Sequence, residues 1–195
     1  MKQAIGIPHN TEAVIFAGGK SSRMGSDKAL LPFGGQKSMS AFLYRKLSKL
    51  FDELYLSSKT DKFDFEASLI LDAYPQSSPL VGIVSTFEYL KQHDEIFVLS
   101  VDAPFVDEEI ITRLYQTPRH YDATIAQSPS GTQPLCGIYR QSILPKAYEF
   151  LHQDNHKLNL LLSCVHTNFV HFDDDAKFSN LNYPSDYQKA LYAHP

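Results

Sequence analysis

Only two cysteines occur in the 195 residues, Cys136 and Cys164. They form neither a CxxC pair nor a disulfide framework, and each has apolar neighbours, so both are expected as reduced core thiols. Positive charge is not in excess: 18 Lys and Arg stand against 22 Asp and Glu, a net charge of -4. No global field for DNA or RNA follows from that balance, and any anion site has to be local. The Phe and Tyr residues are dispersed without a basic stripe, which argues against stacking of single-stranded nucleic acid. Long apolar runs are missing too. The longest, Ala13 to Ala17, is far short of the roughly 20 residues of a membrane-crossing helix. The opening segment carries Pro8 and Glu12 and lacks an extended apolar h-region, so a cytoplasmic location and no membrane association are expected. No internal repeat or low-complexity tract is present. What remains is 43% apolar and 12% aromatic content, enough for the continuous core of one domain.

Ala13-Val14-Ile15-Phe16-Ala17 reads as a strand buried on both faces. A helix follows in which Ala41, Leu43, Tyr44, Leu47 and Leu50 recur at helical spacing behind Ser38 or Ser40 as N-cap. Leu54-Tyr55-Leu56 and Leu69-Ile70-Leu71 are short strands, Leu80 to Leu90 a helix, and Ile96 to Val101 a central strand. Asp107 caps a short helix through Leu114. Asp122 to Gln127 and Gln133 to Arg140 are strand-like and joined by Ser128-Pro129-Ser130-Gly131-Thr132, a hairpin connection that interrupts the parallel pattern. Leu144 to Leu151 and Leu158 to Val165 are helical, Phe169 to Phe172 is a last strand, and Pro184 opens a terminal helix. The alternation implies a three-layer α-β-α, Rossmann-like fold with a mostly parallel sheet and a mixed C-terminal portion. In such sheets ligands bind beyond the strand carboxyl ends, which singles out the loops after Ala17, Leu71 and Val101.

The first of these loops is the most unusual stretch of the chain. Residues 16 to 31 read FAGGKSSRMGSDKALL. Walker A is excluded, because Val14 stands where its first glycine belongs, and GxGxxG is absent. Yet Gly18, Gly19 and Gly25 allow close backbone approach, while Lys20, Arg23 and Lys28 face Asp27 alone. Such a loop suits a polyphosphate, with Arg23 offering a planar fork and Lys28 a compact ammonium.

The segment GGxxxRMGxDK fixes seven positions in eleven and closely resembles the signature of molybdenum cofactor guanylyltransferases, the MobA group of the nucleotidyltransferase superfamily. The resemblance continues in order at Ser78-Pro79-Leu80-Val81-Gly82, Val101-Asp102-Ala103-Pro104-Phe105, Gln133-Pro134-Leu135 and Phe178 to Pro184. It implies catalysis by Arg23, Lys28 and Asp102. It also implies nucleotide contacts from Phe16, Ala17, Gly18, Gly19, Lys28, Ser57, Asp72, Pro79, Leu80, Gly82 and Asp102. Asn180 and Asn182 fall on the side that receives the pterin. In an extended segment these two amides point the same way; Asx-turn or capping roles are the alternative. Asp102 lies five residues ahead of the cap Asp107 and is free to hold Mg2+ together with phosphate oxygens, a structural hydrogen bond being the alternative. Asp72 suits a guanine edge or ribose, a plain loop role being the alternative. Two departures weaken base recognition: the family usually has glycine at Ser78 and often asparagine at Ser57.

The implied reaction is transfer of GMP from GTP to molybdenum-molybdopterin within a single domain, residues 12–115 serving the nucleotide and 116–195 the acceptor. The implied protein partners deliver molybdopterin or, as molybdoenzymes, receive the product. The nearest rivals are a cytidylyltransferase on the same pterin and a sugar-phosphate nucleotidyltransferase. Gly18 leans against the first, whose members commonly read AAG where this chain has Ala17-Gly18-Gly19. A non-catalytic nucleotide carrier is a rival of another class. His152 and His156, four apart, are expected to be solvent-exposed, and Asp173-Asp174-Asp175 reads as a solvated loop.

Overall fold

The computed structural model describes residues 6–8, 11–19 and 25–193. Seven strands form one sheet: β1 (Glu12–Phe16), β2 (Glu53–Ser58), β3 (Ser68–Leu71), β4 (Glu95–Ser100), β5 (Ala123–Ser128), β6 (Gly131–Arg140) and β7 (Thr167–His171), in the order β3-β2-β1-β4-β6-β5-β7. β3, β2, β1 and β4 run parallel, as do β5 and β7, while β6 is antiparallel to both of its neighbours. The helices are α1 (Met39–Leu47), α2 (Pro79–Tyr89), α3 (Glu108–Tyr115), α4 (Leu144–His152), α5 (Leu158–Ser163) and α6 (Pro184–Ala193).

Residues of the central strands divide between two cores by the period of two that a pleated strand imposes. Ala13, Ile15, Phe97 and Leu99 join α1, α3 and α6 on one face, and Val14, Phe16, Ile96 and Val98 join α2, α4 and α5 on the other. β1 is therefore buried along its whole length, as its unbroken apolar run requires. Helix starts follow the caps in the sequence. Ser38, not Ser40, caps α1 by accepting from the Ala41 N–H at 3.1 Å, and buried Ser40 instead donates to the Ala29 carbonyl. Ser78 caps α2 with Pro79 in its first turn, and Asp107 caps α3.

Strand order decides where a ligand can enter. β1 leads through α1 to β2 on one side, whereas β3 leads through α2 to β4 on the other, so the chain diverges between the carboxyl ends of β1 and β4. That divergence is a topological switch point. Because β6 runs antiparallel to β4, with Cys136 opposite Leu99, its early residues Gln133, Pro134 and Leu135 reach the same edge. An irregularity between Ile125 and Ala126 accommodates Pro134, which has no N–H to give the ladder. Gly137 completes the fit: a Cβ there would lie 2.6 Å from the Thr124 carbonyl oxygen.

Three expectations need correction. Cys136 is buried, and burial pushes its thiol well above the ordinary range, but Cys164 is exposed because α5 ends at Ser163 and leaves it outside the core. His156 is not solvent-exposed: α4 ends at His152, and His156 lies half-buried in the turn that follows. Asn180 and Asn182 are not on an extended segment, since the Asn182 N–H donates to the Asn180 carbonyl at 2.9 Å, a γ-turn bond that sends the two amides apart.

Candidate active site

β1 ends at Phe16 between Ser57 of β2 and Ser100 of β4. The chain then leaves the sheet through Gly18 and Gly19. Gly19 has φ +128 and Gly25 φ +69, conformations that a Cβ disfavours strongly. Lys20 and Arg23 lie outside the described residues. On the far side of the loop, Asp27 starts a short 3-10 turn, Lys28–Leu30, by accepting from the Ala29 N–H at 3.0 Å. Its second carboxylate oxygen pairs with Lys62, whose ammonium also donates to the Ala17 carbonyl at 2.8 Å. Lys62 thus ties the two ends of the glycine loop together.

That turn aims Lys28 across the switch point. Its ammonium lies 2.9 Å from Oδ2 of Asp102, 74 residues away in sequence, and 2.7 Å from Oδ1 of Asn182, 154 residues away. Ser100 at the end of β4 donates to Oδ1 of Asp102 at 2.6 Å, and the Asp102 carbonyl accepts from the Leu181 N–H at 2.9 Å. The Lys28 and Asp102 side chains are only 13% and 19% exposed, so this pair is largely withdrawn from water. Burial of that kind strengthens the interaction and makes loss of one partner costly.

Two cavities open beside the pair. The smaller, about 130 Å3, is lined by Phe16, Gly18, Gly19, Ser57, Asp72, Pro79 and Gly82, together with Lys59, Ser77, Ser78, Ser100 and Leu135. Gly82 is required there by close packing, since a Cβ would stand 2.9 Å from the Phe16 ring and 3.3 Å from Ser57 Oγ. Asp72 follows β3, and burial holds its carboxyl above the usual range, with Lys59 pulling the other way. The larger cavity, about 750 Å3, is lined by Asp102, Asn180, Gln133, Cys136, His156 and Lys157 among others. Pro79, Ser100 and Leu135 line both cavities, so the two spaces meet there. Ala17 and Leu80, expected as nucleotide contacts, sit in the core at 1% and 0% exposure, and the Ala17 N–H and carbonyl are taken by Ser57 and Lys62.

The model of the MobA-like NTP transferase domain matches residues 13–167. The chain belongs to this family. A molybdenum cofactor guanylyltransferase of Campylobacter jejuni is 40% identical over 90% of this chain and 93% of its own length. One from Helicobacter pylori is 32% identical over 95% and 94%. Among solved structures, the molybdopterin-guanine dinucleotide biosynthesis protein A of Archaeoglobus fulgidus superposes with a TM-score of 0.81, covering 94% of this chain and 98% of its own at 21% identity. At that identity the likeness speaks for the fold.

The MobA-like fold brings Lys28, Asp102 and Asn182 to one point and gathers most of the expected nucleotide residues in the smaller cavity. Asn180 lines the larger cavity, whereas Asn182 turns to Lys28. Lys59 and Lys62, both directly after β2, do not stand out in the sequence. The available signal was positional: the loop after β2 lies at the same carboxyl edge as the three that were singled out. Among the described residues no group of three or more His, Cys, Asp or Glu side chains is placed to hold a metal ion. Mg2+ demands less, because one or two carboxylates suffice when substrate phosphates and water complete its shell. Asp102, a hard oxygen donor that lines the larger cavity and is bonded to Ser100 where the two cavities meet, fits that requirement. The three aspartates at 173–175 do not resemble a cage: they are exposed, Asp174 accepts from the Ala176 N–H, and Asp175 accepts from the Ser130 N–H.

Proposed function

We propose that the chain transfers GMP from GTP to the terminal phosphate of molybdenum-molybdopterin, giving the guanine dinucleotide cofactor and pyrophosphate. The observation that carries this reading is the Lys28–Asp102 pair, with Asp102 lining the larger cavity and bonded to Ser100, which lines both the large and the small one. The smaller cavity and its glycine loop take the nucleotide, and the larger takes the acceptor. The expected nucleotide half, 12–115, supplies all of the smaller cavity's lining but Leu135, the acceptor half, 116–195, supplies most of the larger cavity's lining, and Asn182 reaches from the second half to Lys28 in the first.

An oxygen of the acceptor phosphate bonds to the α-phosphorus as the bond to the β-phosphate bridge breaks in line, and pyrophosphate leaves with the electron pair. The attacking group is already an anion, so no strong general base is needed. Accordingly, the site holds lysine, aspartate and asparagine, and the glycine loop carries Arg23 in its sequence. Lys28 and Arg23 bind the phosphate oxygens on which negative charge rises, and the fixed placement of Lys28 lowers the barrier. Asp102 would hold Mg2+, which when bound supplies further positive charge to those oxygens. Ser100 fixes the orientation of the Asp102 carboxylate, and Asn182 fixes that of the Lys28 ammonium. The reaction belongs to the cytoplasm, between proteins that deliver molybdopterin and molybdoenzymes that take up the product.

The test offers GTP or CTP with Mg2+ and molybdopterin and measures pyrophosphate and dinucleotide. The expected result is guanine dinucleotide formed in preference to the cytosine compound. Equal or better use of CTP would overturn the base assignment, and nucleotide binding with no pyrophosphate would favour a carrier.

A further inference from the structure

The turn between α4 and α5 forms one wall of the larger cavity and is defined by several local bonds. Asp154 stands at φ +53, the only described non-glycine residue in the left-handed region. The Asn155 N–H donates to the Phe150 carbonyl at 2.9 Å, and Asn155 Oδ1 accepts from the Lys157 N–H at 3.2 Å. His156 leaves this turn with a side chain only 24% exposed. Both of its ring nitrogens are engaged, Nδ1 with Ser78 Oγ at 2.8 Å and Nε2 with Asp154 Oδ1 at 3.0 Å. Ser78 Oγ already accepts from the Val81 N–H at 3.2 Å, so its proton is available to Nδ1. With Nδ1 accepting from Ser78 and an Nε2–H donating to Asp154, every group in the chain is satisfied.

Ser78 lines the smaller cavity and His156 the larger, 78 residues apart in sequence. Their bond links one substrate space to the other across Pro79, which lines both. We propose that His156 is a positioning residue that anchors the wall of the acceptor cavity to the N-terminus of α2 through Ser78, and so sets the acceptor's place relative to the nucleotide. This rests on the reading of the larger cavity as the acceptor site. Ser78 stands where the resembled family usually has glycine, so the link is a feature of this chain's own pair. Without it the wall keeps its internal bonds but has to be ordered at α2 when the acceptor binds, and that cost appears as weaker acceptor binding.

The test is steady-state kinetics with molybdopterin and GTP varied in turn, on His156→Leu, His156→Asn, Ser78→Gly and the double variant His156→Leu with Ser78→Gly. Glycine keeps most of the capping preference of serine, and an asparagine amide can occupy the place of Nδ1. His156→Leu and Ser78→Gly should each raise the KM for molybdopterin about threefold to tenfold, the worth of one hydrogen bond, with the KM for GTP within about twofold. Combined, they should do no more harm than either alone, and His156→Asn should restore the wild-type KM to within about twofold. An unchanged molybdopterin KM in both single variants, additive losses, or a rise confined to the GTP KM would each overturn the proposal. Ser163→Trp, which fills the larger cavity without touching the link, separates the two ideas. If it alone raises the molybdopterin KM, the acceptor reading stands and the anchoring role falls. If it too has no effect, both fall.

Discussion

The two cavities that meet at Pro79, Ser100 and Leu135 are assembled in opposite ways. The smaller is lined largely by the carboxyl ends of parallel strands and the first turn of α2, and its lining residues fall between Phe16 and Ser100, with Leu135 as the exception. The larger draws on β4, the early part of β6, the turn before α5 and the segment before α6. A parallel sheet fixes the relative height of its strand ends through hydrogen-bond register, so the nucleotide side comes with the fold itself. The acceptor side depends on an antiparallel strand and two irregular connections meeting correctly, and it is held by side-chain bonds such as those of Asn182 and His156. Rigidity on one side comes from backbone, and on the other from individual side chains.

The strongest challenge to this contrast is at the junction. Lys28→Ala should lower turnover about 10²-fold or more, as loss of a preorganised charge donor does. Single-turnover release of pyrophosphate is the measurement, and wild-type turnover would refute the role given to Lys28. The two asparagines come next. Asn182→Ala should act on kcat, about tenfold or more, because it removes a hydrogen bond to a charged group. Asn180→Ala should instead raise the molybdopterin KM by about threefold to tenfold. If both variants changed the same constant, the separation of the two amides by the γ-turn would have no functional meaning.

Gly82→Ala probes the backbone-built side. Its new Cβ presses on Phe16 and Ser57, so the KM for GTP should rise several-fold, by about 1 kcal/mol of lost fit, with the molybdopterin KM little altered. Titration of GTP binding gives the check; an unchanged GTP KM would show that this contact is not used. The smallest effect expected is one of pH. Burial raises the folded-state pKa of Asp72, so its ionised, hydrogen-bond-accepting form is lost at a higher pH than for an exposed aspartate. GTP affinity should therefore weaken on mild acidification before an ordinary carboxylate would titrate, and Asp72→Asn should flatten that profile. The sign for stability is opposite. A raised carboxyl pKa contributes stability that is full below the unfolded-state value and lost as pH rises through the folded-state value. Asp72→Asn should thus be relatively more stable than wild type at neutral pH than at acid pH, as thermal melts across that range would reveal.

Much of the architecture was legible because its signals are local. An unbroken apolar run names β1, and Ser38 and Asp107 announce helix starts through hydrogen bonds made within a few residues. Gly19 and Gly25 mark a loop whose torsions they alone accept readily. Lys59 and Lys62 were not legible: a lysine after a strand is ordinary in sequence, and its meaning comes from the neighbouring loop. Cys164 looked like a core thiol from its apolar neighbours, but the end of α5 put it outside. His156 was expected in solvent, while a left-handed turn at Asp154 sent it across to Ser78.

By itself, the order of residues determined the alternation of strands and helices, the cationic glycine loop and the carboxylate after the central strand, since each depends on neighbours along the chain. Tertiary structure alone decided that Lys28 meets Asp102 and Asn182, that Asn180 parts company from Asn182, and that His156 reaches the cap of α2. Those meetings join residues 74, 154 and 78 positions apart. Contacts at such separations are fixed by how the sheet and its helices pack, and local pattern carries no information about that distance.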